Sequence, residues 1–377
     1  MSSIPAPLDL ARRLIRFDTV NPPGNEKPCA RFVGEILEDA GFQVREQEFA
    51  PGRSNLAALW QGHPRRQVLC FSGHLDTVPP GRAPWKRDPL IPETEGDKLY
   101  GRGASDMKSG VAAMIVAALG IAATKPQGGG LALVFTAGEE TGCLGARHLG
   151  GWEGLPGNVG ALVVGEPTSN YPVVGHKGAL WMEGVARGVA AHGSMPEKGV
   201  NAVYKAARAV TRLEAFSFPD PPHPVLGRPT LNVGTFSGGV NINSVPDEAL
   251  VGIDVRTVPG QSHEGIREAL ASLVGEDMEL SFLVSAGPLW TDPEHPWIQE
   301  AGSMAASVLG EPLEPRSVPY FTDASELVSL LGGPPALVLG PGEASMAHQT
   351  DEYCLVSRLE QAVEIYSRIA RRWMEKR

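Results

Sequence analysis

The sequence predicts an α/β fold with a mostly parallel central sheet and a smaller α+β unit inserted into it. Short continuous apolar runs, Gln67–Phe71, Leu131–Thr136, Ala161–Val164 and Ala336–Leu339, read as strands buried on both faces. Segments with helical spacing separate them. At 377 residues the chain is also longer than one hydrophobic core usually serves, so two domains are expected.

In chain order, Leu8 to Phe17 has apolar residues at helical spacing, and Asn21-Pro22-Pro23-Gly24-Asn25 ends it as a loop. Cys29 to Ala40 reads as a second amphipathic helix stopped by Gly41, followed by strands at Phe42–Glu48 and Ser54–Trp60. The strand from Gln67 delivers His74 and Asp76 at its end, and residues 79–89 form a long irregular loop. Asp106 stands before Val111–Ala123, an Ala-rich buried helix. Glu139 and Glu140 follow the strand Leu131–Thr136, and Glu166 follows Ala161–Val164.

The middle of the chain changes character. A strand beginning at Gly175 runs through Val185, Ala191–Pro196 is a polar loop, and Val200–Glu214 is an amphipathic helix. Strands at Leu231–Phe236 and Ala249–Val255 and a helix at Ser262–Val274 complete a compact α+β unit with edges near 177 and 288. The domain expectation is therefore 1–176, 177–288 and 289–377, with the outer two segments forming one domain. The last segment carries a helix at His295–Leu309, the strand Ala336–Leu339, His348, and a closing helix at Glu360–Trp373.

Composition narrows the function. The formal net charge of −10 argues against a broad nucleic-acid footprint, which needs a basic face. The basic run Arg371–Arg377 reads as a solvated helix end. The four cysteines are scattered without a C-x-x-C pair, so neither a thiolate zinc site nor a disulfide framework is expected. Residues 1–7 lack a basic region followed by an apolar one, and Val111–Ala123 is too short to span a bilayer. A cytoplasmic enzyme with no membrane partner is the expectation.

Taken singly, the polar residues at the strand ends have ordinary readings. His74 and Asp76 fit a satisfied structural pair, and Asp106 fits a first-turn acid at a helix start. Adjacent acids such as Glu139 and Glu140 are harder to place without a bound cation, because like charges in a cleft repel. Together, two histidines and several carboxylates at the carboxyl ends of apolar strands form a ligand set for two divalent ions.

Five ordered motifs carry a resemblance over essentially the whole chain: SGHLDTVP at 72–79, GRGASDMKSG at 101–110, GEETGCLGA at 138–146, GEPT at 165–168 and GPGEASMAHQTDEY at 340–353. In these the sequence resembles the M20 family of dinuclear zinc aminoacylases and peptidases, most nearly its acetylornithine deacetylase and succinyl-diaminopimelate desuccinylase branch. The resemblance implies a zinc-aminopeptidase-like catalytic domain with an inserted lid that forms a homodimer interface. It implies two Zn²⁺, with Co²⁺ as a substitute, and amide hydrolysis of an N-acyl amino acid or dipeptide. By the same resemblance His74 and Glu166 hold the first ion, Asp106 bridges, and Glu140 and His348 hold the second. Glu139 is the general base, and Asp76 orients an imidazole ligand. A cis peptide is expected after Asp106.

In the inserted unit, His192 matches a histidine that reaches across the dimer to the scissile carbonyl. Asn243 and Arg256 match substrate-binding residues, and Thr322 is a further candidate. Read alone, His192 is an ordinary loop histidine and Asn243 an ordinary turn residue. His148, His176, His223, His263 and His295 read as structural or surface. The alternatives are an M20 dipeptidase or carboxypeptidase, or a catalytically silent protein on the same fold, although none of the five ligands is missing and neither is the base.

Overall fold

The computed structural model describes residues 4–375; residues 1–3 and the last two of the basic run, Lys376 and Arg377, lie outside it. The chain divides into two compact units. The first takes the chain through Gly175, Trp290–Arg316, and everything from Thr322. The second takes His176–Leu289 and also Ser317–Phe321, a short return that the sequence did not signal.

The first unit is built on a six-stranded sheet in the order Gln43–Ala50, Arg53–Trp60, Gly130–Thr136, Val68–His74, Val159–Val164, Ala336–Val338. The first two junctions are antiparallel and the remaining three parallel, so the sheet is mostly parallel. Every residue of Val68–His74 and Gly130–Thr136 is buried, which accounts for their unbroken apolar sequence. Four parallel strands end along one edge of the sheet, where the segments carrying Asp76, Glu139 and Glu166 begin.

The helix Ser109–Ala123 is apolar all round because it is enclosed all round. With the segment 104–108, whose backbone breaks at Asp106 and Met107, it makes a stretch with a mean hydropathy of 1.5 and the length to cross a membrane, longer than the sequence implied; 83% of that window is buried inside the molecule. The core places Leu10, Leu14, Phe71, Phe135, Ile115 and Tyr366 in one cluster. The Tyr366 and Phe71 rings lie 5.3 Å apart. The closing helix runs Val356–Glu375, longer at both ends than its apolar periodicity shows.

The second unit is a four-stranded antiparallel sheet in the order Thr230–Gly238, Glu248–Thr257, Gly178–Arg187, Glu279–Ala286. Burial alternates along its two central strands, so one face is buried and the other partly exposed. Helices Ala202–Glu214 and His263–Val274 contribute Ala206, Leu213, Ile266 and Leu270 to the cluster on the buried face. Asn201 and Ser262 cap these helices by accepting from Tyr204 N and Gly265 N. Glu279–Ala286 is an edge strand absent from the sequence reading. Ala191–His192, expected as loop, pairs instead with Ser244–Val245.

Candidate metal centre and active site

The strand Val68–His74 stays extended to its last residue, which buries the His74 imidazole at 1% exposure. Its Nδ1 lies 3.0 Å from the main-chain oxygen of Asp76, which fixes the ring with Nε2 pointing away from the strand. His74 Nε2 is 3.0 Å from Asp106 Oδ1 and 3.7 Å from Glu166 Oε1. Asp106 turns its other oxygen to the second histidine: Oδ2 is 3.5 Å from His348 Nε2, which is itself 3.0 Å from Glu140 Oε2. One carboxylate thus faces two imidazoles, and each imidazole has a glutamate of its own. Ligand-type atoms of His74, Asp106 and Glu140, and of His74, Glu139 and Glu166, lie within 4.8 Å of one another.

Asp106 is not a helix cap. Its backbone is non-helical, at φ −123° and ψ 93°, no side chain among the described residues caps the helix that starts at Ser109, and the peptide bond to Met107 is cis. Glu139 and Glu140 begin a single turn after Gly138, whose φ of +75° suits glycine. The Asp76 carboxylate holds that turn. It accepts from Glu139 N at 3.1 Å, Glu140 N at 3.3 Å and Asn21 Nδ2 at 2.9 Å. The contact of Asp76 with the imidazole therefore runs chiefly through its main-chain oxygen, while its carboxylate aligns the two glutamates.

The electrostatics are those of acids crowded away from water. Burial, and then the Glu166 carboxylate, raise Glu139 well above the usual carboxyl range. Burial and Asp106 raise Glu140, and burial raises Glu166 well above normal. Burial alone would lower His74, but Glu166, Asp106 and Asp76 outweigh it and raise the imidazole well above its ordinary value. Hydrogen bonds donated to the Asp106 and Glu140 carboxylates raise His348 to about 10. Glu140 Oε1 is buried without a hydrogen-bond partner among the described residues. A buried oxygen with no donor, among four carboxylates and two imidazoles, fits a divalent cation better than any protein group at hand. The donor set suits zinc or cobalt.

Residues that the sequence did not single out complete the surroundings, together with the candidate Thr322. Asp323 is 1% exposed, accepts from the Thr136 hydroxyl, and is raised by burial to about 6. Glu352 and Arg102 form a fully buried ion pair at 2.7 Å. Burial pushes the Glu352 carboxyl up to about 7, against the pull of Arg102 and of backbone donors. Thr322 is wholly buried and its hydroxyl accepts from Ala324 N at the start of the helix Ala324–Leu330.

The remaining candidates belong to the second unit. His192 is exposed, with Nδ1 2.7 Å from Ser194 Oγ. Asn243 is its near neighbour, since Gly193 N donates to Asn243 O at 2.7 Å. Arg256 lies on the partly exposed face of the sheet, 3.0 Å from Asp254 and with its guanidinium 6.0 Å from the Phe321 ring centre. His176, by contrast, is wholly buried, and burial lowers it to about 4.

Comparisons with known proteins agree with this architecture. A probable succinyl-diaminopimelate desuccinylase of Staphylococcus epidermidis is 30% identical over 400 residues, covering 96% of each chain. An acetylornithine deacetylase of Vibrio atlanticus is 31% identical over 393 residues, covering 98% of this chain and 99% of that one. Among solved structures, an M20 metallo-carboxypeptidase from Sulfolobus solfataricus matches with a TM-score of 0.81 at 19% identity, covering 98% of this chain and 99% of that one. A dinuclear metal-binding M20 peptidase from Bacillus subtilis matches with a TM-score of 0.71 at 14% identity, covering 97% and 96%; at such identities the likeness speaks to fold. The model of peptidase family M20/M25/M40 matches residues 70–372. This chain is a hydrolase belonging to that family.

Proposed function

We propose that this protein hydrolyses the amide bond of an N-acyl amino acid, in the manner of the acetylornithine deacetylases and succinyl-diaminopimelate desuccinylases it resembles. The observation that carries the reading is the placement of Asp106, with one oxygen toward His74 and the other toward His348. His74 and Glu166 would hold one Zn²⁺, Glu140 and His348 a second, and Asp106 would bridge. Bound there, the ions supply Lewis-acid polarisation of a carbonyl and make water a nucleophile near neutral pH.

Glu139 is the carboxylate left over. It is 6% exposed and lies beside His74 and Glu166. It takes the proton of the attacking water, the oxygen adds to the acyl carbon, and the same carboxyl delivers the proton to the nitrogen as the C–N bond breaks. In the second unit we assign His192 to the oxyanion, acting across a homodimer, and Asn243 to the substrate carbonyl. Arg256 would exchange Asp254 for the substrate α-carboxylate, which its planar fork can grip at two points. Thr322, with its hydroxyl used at a helix start, is assigned to structure.

The test pairs chemistry with metal content. Glu139→Gln should retain two ions per chain and lose about 10²–10⁴-fold in kcat. Near-normal turnover by that variant would remove Glu139 from the reaction. Metal-loaded protein offered N-acetylornithine, N-succinyl-diaminopimelate, other acyl-amino acids and dipeptides should cleave an acyl-amino acid fastest. A preference for dipeptides would favour the peptidase reading instead.

A further inference from the structure

We propose that Glu352 is a positioning residue that sets the spacing of the two halves of the metal-ligand cluster by clamping the backbone of Asp106. The proposal rests on the assignment of His74, Asp106, Glu140, Glu166 and His348 as ligands.

Glu352 is wholly buried and lies four residues after His348. Its Oε1 accepts from Ser105 N at 2.7 Å and Asp106 N at 2.9 Å. Its Oε2 accepts from Gly103 N at 3.0 Å and Arg102 Nη1 at 2.7 Å. Arg102, 1% exposed, extends the clamp: its Nη2 donates to Pro79 O at 3.3 Å, three residues beyond Asp76. The main-chain oxygen of Glu352 accepts from Gly101 N at 3.0 Å, and Ser105 Oγ donates to Tyr353 O at 2.8 Å. One buried pair thus ties together the segments that carry His74, Asp106 and His348.

The chemistry of the side chain is specific. All four contacts to the carboxylate are donors, and an ionised carboxylate is acceptor-only with room for four. A glutamine presents one acceptor oxygen and an NH₂ group, so in either orientation it turns donors toward two donors. An aspartate is one methylene short. Loss of the clamp frees the backbone nitrogens of Gly103, Ser105 and Asp106, and Asp106 is the ligand both halves share. His74 has separate support from Asp76 O at 3.0 Å and a buried Glu166 beside it. His348 is 54% exposed and depends on the segment that Glu352 anchors. The second site should therefore fail first.

The experiment titrates metal-free protein with Zn²⁺ by calorimetry, comparing wild type with Glu352→Gln, and checks folding by circular dichroism and thermal melting. Wild type should take two ions. The variant should keep its first affinity and lose about 10–100-fold at the second site, the scale for groups that orient ligands. Activity at limiting zinc should fall and return toward the wild-type kcat as zinc is raised, a rescue that a merely misfolded protein would not show. Should Glu352→Gln fail to fold, Arg102→Lys keeps the charge but removes the fork that reaches both Glu352 and Pro79 O, and should weaken the second site more than the first. Wild-type affinity at the second site in folded Glu352→Gln, or in Arg102→Lys where that variant must serve, overturns the proposal. Wild-type protein that binds fewer than two ions overturns the ligand assignment itself, and the proposal with it.

Discussion

A histidine that must stay neutral to be buried makes folding depend on pH. His176 has no exposed surface, and burial holds it at about 4, below its ordinary 6.5. Between those values the unfolded chain binds the proton and the folded chain does not, so stability rises with pH across that window. The contribution is complete above about pH 6.5 and is lost as pH falls toward 4, reaching about 3 kcal/mol at most. Urea midpoints of His176→Gln should fall less steeply than wild type between pH 6.5 and 4; equal slopes would show that another group carries the acid limb. In the sequence His176 looked like any other histidine, because burial is decided by the fold around it. The same holds for Glu352, Arg102 and Asp323, three charged residues whose types are ordinarily exposed. His74, Asp106, Glu139, Glu140, Glu166 and His348 were legible as a group because strand ends and ordered motifs marked them, although no one of them was diagnostic alone.

At the scale of an element, the helix Ser109–Ala123 contains two glycines with opposite requirements. A Cβ on Gly110 would lie 2.2 Å from Gly165 O, a backbone atom next to Glu166. The helix start, just after Asp106, can approach the strand end that carries Glu166 only because that position lacks a side chain. A Cβ on Gly120 would meet no other side chain or strand within 4 Å among the described residues. Gly110→Ala should cost about 1–3 kcal/mol by overpacking and reduce zinc uptake, since Asp106 and Glu166 are pushed apart. Gly120→Ala should raise the melting temperature, because the half-buried position has room for a methyl group and alanine favours a helix interior by up to about 1 kcal/mol. Thermal melts and metal content of the two variants check both signs, and a stable, fully zinc-loaded Gly110→Ala would contradict this account. Elements were legible where sequence reports burial directly, as in the continuous apolar run of Leu131–Thr136. Glu279–Ala286 escaped notice because it is an edge strand with mostly exposed residues and a register shift, so no alternation survives in its sequence. Ala324–Leu330 is only seven residues long and offers too few turns to show a period.

At the scale of the molecule, the second unit leaves apolar side chains in solvent. Val240 and Ile242 are 94% and 104% exposed, and Phe236 on the edge strand Thr230–Gly238 is 43% exposed. An edge strand with unpaired backbone groups and apolar residues beside it is a surface suited to another chain. The homodimer proposed above would use it, and light scattering should then give about twice 40.0 kDa. Ile242→Asp should shift the protein toward monomer while leaving its zinc content unchanged, because every assigned ligand lies in the first unit. Whether His192 then acts across the dimer can be decided by mixing two inactive variants, Glu139→Gln and His192→Ala, under conditions that exchange subunits. If His192 serves its partner, each mixed dimer contains one complete site: a wild-type Glu139 in one subunit meeting a wild-type His192 from the other. With random exchange half the dimers are mixed, so about a quarter of the wild-type activity should return. If His192 serves its own subunit, every site carries one of the two substitutions and mixing restores nothing. A return of activity with Ile242→Asp built into both variants would break the link between the exposed apolar surface and the shared site.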